Sequence, residues 1–187
     1  KWWEGGGEDD HLPIRWPRGH QDKSAFDCAE WIDISQGDII IIAGVSNMGK
    51  TAFCLNLLME NMDIHPCTLM GNEYKPAKFR RRISRMDWVE PMTPDGTPKF
   101  ELIERHEKWA DIIRPDNINI IDWINLGDNF YQIGRIIEEI QEQLHKGIAV
   151  ISIQKSEGKA LGLGGSFSEH LARLYLTFDF ERLTVRK

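Results

Sequence analysis

The stretch DIIIIAGVSNMGKTAF, residues 38 to 53, restricts the possible folds more than any other. Its first half is a short, continuous apolar run of β-branched residues, which is typical of a strand buried on both faces. A glycine-containing turn follows, and from Lys50 to Met62 apolar residues recur at helical spacing with no proline or glycine between them. The stretch therefore predicts a central strand, a tight turn and a helix.

The turn itself matches the pattern GxxxxGK[ST], in the strand-to-helix context that this pattern requires. Gly44 and Gly49 permit a turn that side chains would block, so amides near the helix start can converge on phosphate oxygens. Lys50 would neutralise the phosphates, and Thr51 would place its hydroxyl on Mg²⁺. The predicted nucleotide-binding residues are Gly44, Val45, Ser46, Asn47, Met48, Gly49, Lys50 and Thr51.

Three later strand-like segments each end on a polar side chain. They are CTLMGNE, which ends at Glu73, NINIIDW, which carries Asp122 near its end, and IAVISIQ, which ends at Gln154. Because parallel strands bring their carboxyl ends to one edge of a sheet, we expect these side chains beside the phosphate-binding turn. Asp122 would hold Mg²⁺ directly or through water, and Glu73 would orient or deprotonate the attacking water. Gln154 would hydrogen-bond the γ-phosphate or that water, although ordinary strand-ending residues stay an alternative for all three.

The rest of the chain predicts an α/β fold with a mostly parallel central sheet, helices on both faces and antiparallel strands at the C-terminus. Residues 1–35 read as an irregular arm or cap and residues 36–187 as the domain proper. Further helices are expected in PAKFRRRISRM, in FELIERHEKWADII and over residues 129–145. A Gly/Ser-rich loop, KSEGKALGLGGSFS, is expected next, and two strands, HLARLYLTF and RLTVRK, are expected to end the domain.

Length and composition limit the number of domains, the cellular location and the kind of surface that could bind nucleic acid. The 187 residues are enough for one compact domain, and the first residue, Lys1, and the ending LTVRK lead us to expect a piece of a longer chain. Three widely spaced cysteines favour a reducing, cytoplasmic location, and no apolar run is long enough to predict a membrane span. The net charge of −6 argues against a surface that binds nucleic acid everywhere. Local basic stretches could still bind nucleic acid, and the densest is YKPAKFRRRISR. The alternative interpretation of this stretch is a solvated helix face.

The loop Gly44–Thr51, with Glu73, Asp122 and Gln154 in that order and a glycine-rich loop after them, resembles the RecA-fold P-loop ATPases. The resemblance spans about residues 35 to 187 and is greatest to replicative hexameric helicases of the DnaB type, with RecA/RadA-type recombinases next. It implies an ATP-hydrolysing motor domain that acts on single-stranded DNA. It also implies catalytic roles for Lys50, Glu73, Asp122 and Gln154, and assembly of identical subunits into a hexameric ring or a filament.

The same resemblance assigns two further groups of residues. The loop KSEGKALGLGGSF corresponds to the mobile segment that contacts single-stranded DNA, which makes Lys155 and Lys159 the candidate phosphate contacts. Lys187 matches the position of a lysine that reaches the neighbouring subunit's nucleotide, whereas the arginine that follows it in the family would lie beyond the last residue.

Two other classes of function stay open on sequence alone. A small-molecule or nucleoside kinase would share the phosphate-binding loop, and YKPAKFRRRISR would then be a lid element, although the Gln154 arrangement has no evident task there. A regulatory ATPase would use ATP to control assembly instead of movement. The absence of an NKxD motif disfavours a guanine-specific switch.

Overall fold

One seven-stranded sheet organises the described part of this protein. The computed structural model describes residues 10–18, 29–72, 74–125, 129–180 and 182–187. Its strands are β1 (Ile39–Gly44), β2 (Cys67–Gly71), β3 (Glu101–Glu104), β4 (Ile118–Ile124), β5 (Ile148–Gln154), β6 (Leu174–Asp179) and β7 (Arg182–Val185). The α-helices are α1 (Lys50–Asn61), α2 (Pro76–Ile83), α3 (Ile133–Gln141) and α4 (Ser166–His170), with 3-10 turns at Ala29–Trp31, Trp109–Ile112 and Phe130–Gln132.

The strands lie in the order β3-β2-β4-β5-β1-β6-β7. Every neighbouring pair is parallel except β6 and β7, which form an antiparallel pair at the C-terminal edge. These observations confirm the predicted α/β class, the mostly parallel sheet and the antiparallel C-terminal strands. Because β5 lies between β1 and β4, the residues that end these three strands meet at one edge of the sheet.

The core has two halves, one on each face of the sheet. Ile40 and Ile42 of β1 contribute to the half that contains α1 and α2, whereas Ile39 and Ile41 contribute to the half that contains α3. None of these four isoleucines exposes any surface. The four consecutive β-branched residues therefore fit a strand covered on both faces, and the predicted helices on both faces are confirmed.

Helix α1 begins at Lys50 directly after the turn, as predicted, and buries Leu55, Leu57 and Leu58 against the sheet. Near its C-terminal end the buried Asn61 accepts a hydrogen bond from the backbone N–H of Arg15 and donates one to the carbonyl of Arg15. Residues of the predicted N-terminal arm thus pack on the domain. The predicted boundary at residue 35 stays a prediction.

The predicted helix FELIERHEKWADII is wrong. Residues Glu101–Glu104 form β3, which pairs in parallel with β2 as an edge strand, and only Trp109–Ile112 make a short 3-10 turn. The short apolar pair Leu102 and Ile103 fits either a helix or a strand, so the backbone hydrogen bonds offered by β2 decide the outcome. Exposed glutamates at both ends of β3 suit a sheet edge, where charge discourages pairing with another chain.

Other elements are shorter than the sequence suggested. The strand predicted to begin at His170 begins at Leu174, because Ser166–His170 form α4 instead, and the helix predicted over residues 129–145 is confined to Ile133–Gln141. Within the described ranges, no helix combines the length and the apolar character that crossing a bilayer would require.

Candidate functional site

The loop between β1 and α1 depends on its two glycines for different reasons. A Cβ on Gly44 would lie 2.9 Å from Phe178 Cβ and 3.0 Å from Lys50 Cγ, so the site is too close-packed for a larger residue. Gly49 has a φ of 95° and Asn47 a φ of 64°, in the left-handed region that glycine and asparagine tolerate best. These backbone angles turn the chain into the first turn of α1, whose amides have no partner within the helix.

Lys50 folds back over this loop. Its Nζ donates hydrogen bonds to the carbonyls of Gly44 at 2.8 Å and Val45 at 2.9 Å. Burial lowers the pKa of Lys50, and the nearby Asp122 carboxylate opposes that change by favouring the charged amine. The positive and negative groups of the site are therefore close enough to interact across the loop.

Asp122 lies on β4 and is 3% exposed. The Tyr74 hydroxyl donates a hydrogen bond of 2.5 Å to its Oδ2. Burial, the largest influence, raises the pKa of Asp122, while Tyr74 and the nearby hydroxyls of Thr51 and Ser152 favour the charged form and oppose that rise. Neither of the last two hydroxyls is in hydrogen-bond geometry with Asp122 Oδ1, which is buried without a hydrogen bond from any described residue.

Gln154 reaches the loop from the neighbouring strand. In the parallel register Gln154 lies opposite Gly44, and its Nε2 donates to Ser46 Oγ at 2.9 Å. Three of the predicted site positions, namely the loop, Asp122 and Gln154, are thus brought together at one edge of the sheet, as the sequence predicted.

The loop and Gln154 border a cavity of about 270 Å³. Its walls are Ser46, Asn47, Gly49, Lys50, Thr51, Ala52, Arg82, Trp123 and Gln154. The amides at the start of α1, the Lys50 amine and the Arg82 guanidinium make these walls suited to phosphate groups.

A magnesium ion would also fit the donors present. Asp122 Oδ1 is a carboxylate oxygen without a hydrogen bond from any described residue, and Thr51 supplies a hydroxyl near the carboxylate. Among the described residues no group of three or more His, Cys, Asp or Glu side chains could hold a metal alone. Mg²⁺ commonly binds through one or two protein oxygens and completes its shell with phosphate oxygens and water, so this donor set suits it.

The remaining predicted site residues are Glu73, Lys155, Lys159 and Lys187. Glu73 lies outside the described residues. Lys155 is 3% exposed, its Nζ is hydrogen-bonded to Asp179 Oδ1, and its N–H donates to the carbonyl of Gly44. A buried, ion-paired amine does not fit the predicted contact with DNA, whereas Lys159 is exposed. Lys187 is exposed, and its Nζ contacts the carbonyls of Glu169 and His170, so its role towards a neighbouring subunit stays a prediction.

Sequence reasoning missed three residues of the site, Tyr74, Arg82 and Trp123. Arg82 belongs to the basic stretch that we interpreted as a solvated helix face or a lid, but it lines the cavity. Trp123 follows Asp122 through a cis peptide bond. Nothing in the local pattern indicates that Tyr74 contacts a residue 48 positions away.

No protein-family model matches this chain, and no curated protein matches it either. Its function is therefore inferred from the residues and the geometry of the site.

Proposed function

We propose that this chain is a RecA-like P-loop ATPase domain, an ATP-hydrolysing motor that acts on single-stranded DNA in the manner of a replicative helicase. The observation that carries the proposal is a cavity bordered by the GxxxxGKT loop and Gln154, with the buried Asp122 close enough to Lys50 to affect its pKa. The resemblance to RecA-fold ATPases supplies the DNA substrate and the assembly into a ring or filament. We place this activity in the cytoplasm, and a recombinase or a regulatory ATPase is the related alternative.

In the proposed reaction the chain acts mainly by positioning and electrostatics. Lys50 exchanges its two carbonyl partners for phosphate oxygens, and amides of the first turn of α1 bind the same group. Thr51 and Asp122 would hold Mg²⁺, which would supply positive charge to the phosphates when bound. Glu73 orients or deprotonates the attacking water, and Gln154 leaves Ser46 to contact the γ-phosphate or that water.

The proposed link to DNA runs through the residues after β5. The backbone carbonyl of Gln154 accepts a hydrogen bond of 2.8 Å from the N–H of Leu163, so the residue whose side chain contacts the phosphate-binding loop is also bonded through its backbone to the far side of the 155–165 segment. Lys159 is exposed within this segment. One lysine per subunit gives a weak contact, but its repetition around a ring of identical subunits would create a positively charged path.

The first test measures ATP hydrolysis with and without single-stranded DNA, with light scattering to report assembly. Lys50→Ala should abolish hydrolysis, and Glu73→Gln should retain nucleotide binding while stopping turnover. Lys159→Ala should reduce stimulation by DNA without changing the basal rate. Its matched control is Lys146→Ala, another exposed lysine that precedes β5 instead of following it.

Full hydrolysis by Lys50→Ala or Glu73→Gln would contradict the assigned roles. A chain that hydrolyses ATP but ignores single-stranded DNA in every assembly state would favour the regulatory ATPase. Phosphate transfer to an added small-molecule acceptor, instead of to water, would replace the motor proposal with a kinase.

A further inference from the structure

Tyr74 and Asp122 form a buried hydrogen bond beside the cavity. Tyr74 is 2% exposed and Asp122 is 3% exposed, and 2.5 Å separates the phenol oxygen from Asp122 Oδ2. The other carboxylate oxygen, Oδ1, has no hydrogen bond from any described residue. The two oxygens of one carboxylate therefore differ completely in their partners.

The Tyr74 ring has little freedom to move. A Cβ on Gly71 would lie 2.5 Å from Cε2 of this ring, so the ring lies directly against the β2 backbone. On another side the ring packs edge-on against Phe79, with ring centroids 5.3 Å apart. Packing on both sides fixes the hydroxyl, and the hydroxyl in turn fixes the plane of the carboxylate.

We infer that Tyr74 is a positioning residue that orients Asp122 for the metal ion. By engaging Oδ2, it keeps Oδ1 directed for Mg²⁺ or a water on it. This inference rests on the proposed function, because it concerns the metal used with the nucleotide. Without the phenol, the carboxylate can rotate about its Cβ–Cγ bond and offer either oxygen to the nearby Lys50 amine, which competes with the metal.

The size of the effect follows from the behaviour of groups that hold metal ligands in place. Removing such a partner commonly weakens metal binding by about 10- to 100-fold while the ligand itself remains. Since Tyr74→Phe keeps the ring and removes only the hydroxyl, we expect about tenfold weaker metal affinity. Affinity for nucleotide in the absence of metal should stay unchanged, because Tyr74 does not line the cavity.

The test titrates Mn²⁺ into the ADP-saturated full chain and follows free Mn²⁺ by electron paramagnetic resonance. A parallel calorimetric titration measures ADP binding in EDTA. The matched control is Tyr175→Phe, another buried tyrosine whose hydroxyl bonds to Gly162 N–H and Ser168 Oγ away from the cavity. Tyr74→Phe alone should lose metal affinity, even if both variants lose stability.

A second measurement does not depend on folding of the Tyr74 variant. The chain has three tyrosines, so protein labelled with 3-fluorotyrosine has three ¹⁹F resonances, which Tyr131→Phe and Tyr175→Phe assign by elimination. Adding Mg²⁺ to the ADP-bound protein should move the Tyr74 resonance more than that of Tyr175.

Unchanged Mn²⁺ affinity in folded Tyr74→Phe, or a Tyr74 resonance that ignores Mg²⁺, would overturn the inference and leave the proposed function standing. An equal loss of metal-free ADP binding would also overturn it, because the role would then be structural. Failure of the wild-type chain to bind ADP at all would instead overturn the proposed function, and this inference with it.

Discussion

The buried ion pair between Lys155 and Asp179 predicts unequal effects for its two partners. The Lys155 side chain is 2% exposed, and the Asp179 side chain is 38% exposed. Asp179→Asn leaves a positive charge buried without its carboxylate. Lys155→Met removes the charge itself and keeps a side chain of similar length, so no charge remains to be paired in the interior.

The expected magnitudes follow from these exposures. Removing one partner of a fully buried pair costs about 3–5 kcal/mol because the other charge stays buried and unpaired. Lys155→Met leaves only the Asp179 carboxylate, which is 38% exposed and therefore hydrated. Because water reaches Asp179, we reduce the first figure and expect Asp179→Asn to lower the free energy of unfolding by about 1–3 kcal/mol. Lys155→Met should change it by less than about 1 kcal/mol.

Urea unfolding of both single variants and of the double variant completes a double-mutant cycle. The control is Glu139→Gln, which breaks the exposed helical pair with Arg135 and should cost no more than about 0.5 kcal/mol. If Asp179→Asn costs no more than this control, or if Lys155→Met costs as much as Asp179→Asn, the reasoning is refuted. Lys155→Met should also retain hydrolysis stimulated by DNA. Its loss would mean that Lys155 leaves Asp179 to contact the strand.

Three further predictions concern stability and reactivity. Burial raises the pKa of Asp122 in the folded protein, so its contribution to the free energy of unfolding is favourable at acidic pH and is lost as the pH rises through the folded-state pKa. Asp122→Asn removes this buried charge and should stabilise the protein in urea by about 0.5–2 kcal/mol at pH 7. A loss of stability would contradict this. Gly71→Ala would place a Cβ 2.2 Å from the Asp122 carbonyl and should destabilise by about 3 kcal/mol or more, unlike Gly134→Ala, whose Cβ meets nothing nearer than 3.4 Å. In a Cys28→Ser background both remaining thiols are buried, and burial raises the pKa of Cys67 to about 12. A disulfide reagent at pH 8 should therefore label these thiols only after the protein unfolds. Rapid labelling of the folded chain would disprove the assigned burial.

Local sequence was sufficient for the elements with a strong pattern. The isoleucine run of β1 and the uninterrupted apolar spacing of α1 leave few alternatives, and the loop between them is defined by its own residues. Placing Asp122 and Gln154 beside that loop needed only the rule that parallel strands end at the same edge. This part of the site could be predicted because each residue is positioned by the strand that carries it.

The errors arose where distant contacts decide the structure. Residues Glu101–Glu104 form a strand because β2 offers an edge to pair with, which no local pattern reveals. The ion pair of Lys155 could not be predicted because its partner, Asp179, lies 24 residues further along the chain. Tyr74 was missed for the same reason, since its role depends on a carboxylate 48 residues away.

The strand order has a consequence for biosynthesis. Strand β1 pairs with β5 and β6, and the first of these pairings joins Ile39 to Ala149. At the usual rate of translation, the intervening residues take on the order of 5–20 seconds to synthesise. During that interval four consecutive isoleucines have emerged without their β-sheet neighbours, and such a segment favours intermolecular association. We therefore expect early packing of α1 against this segment, or a bound chaperone, to reduce association between nascent chains until β5 has been synthesised.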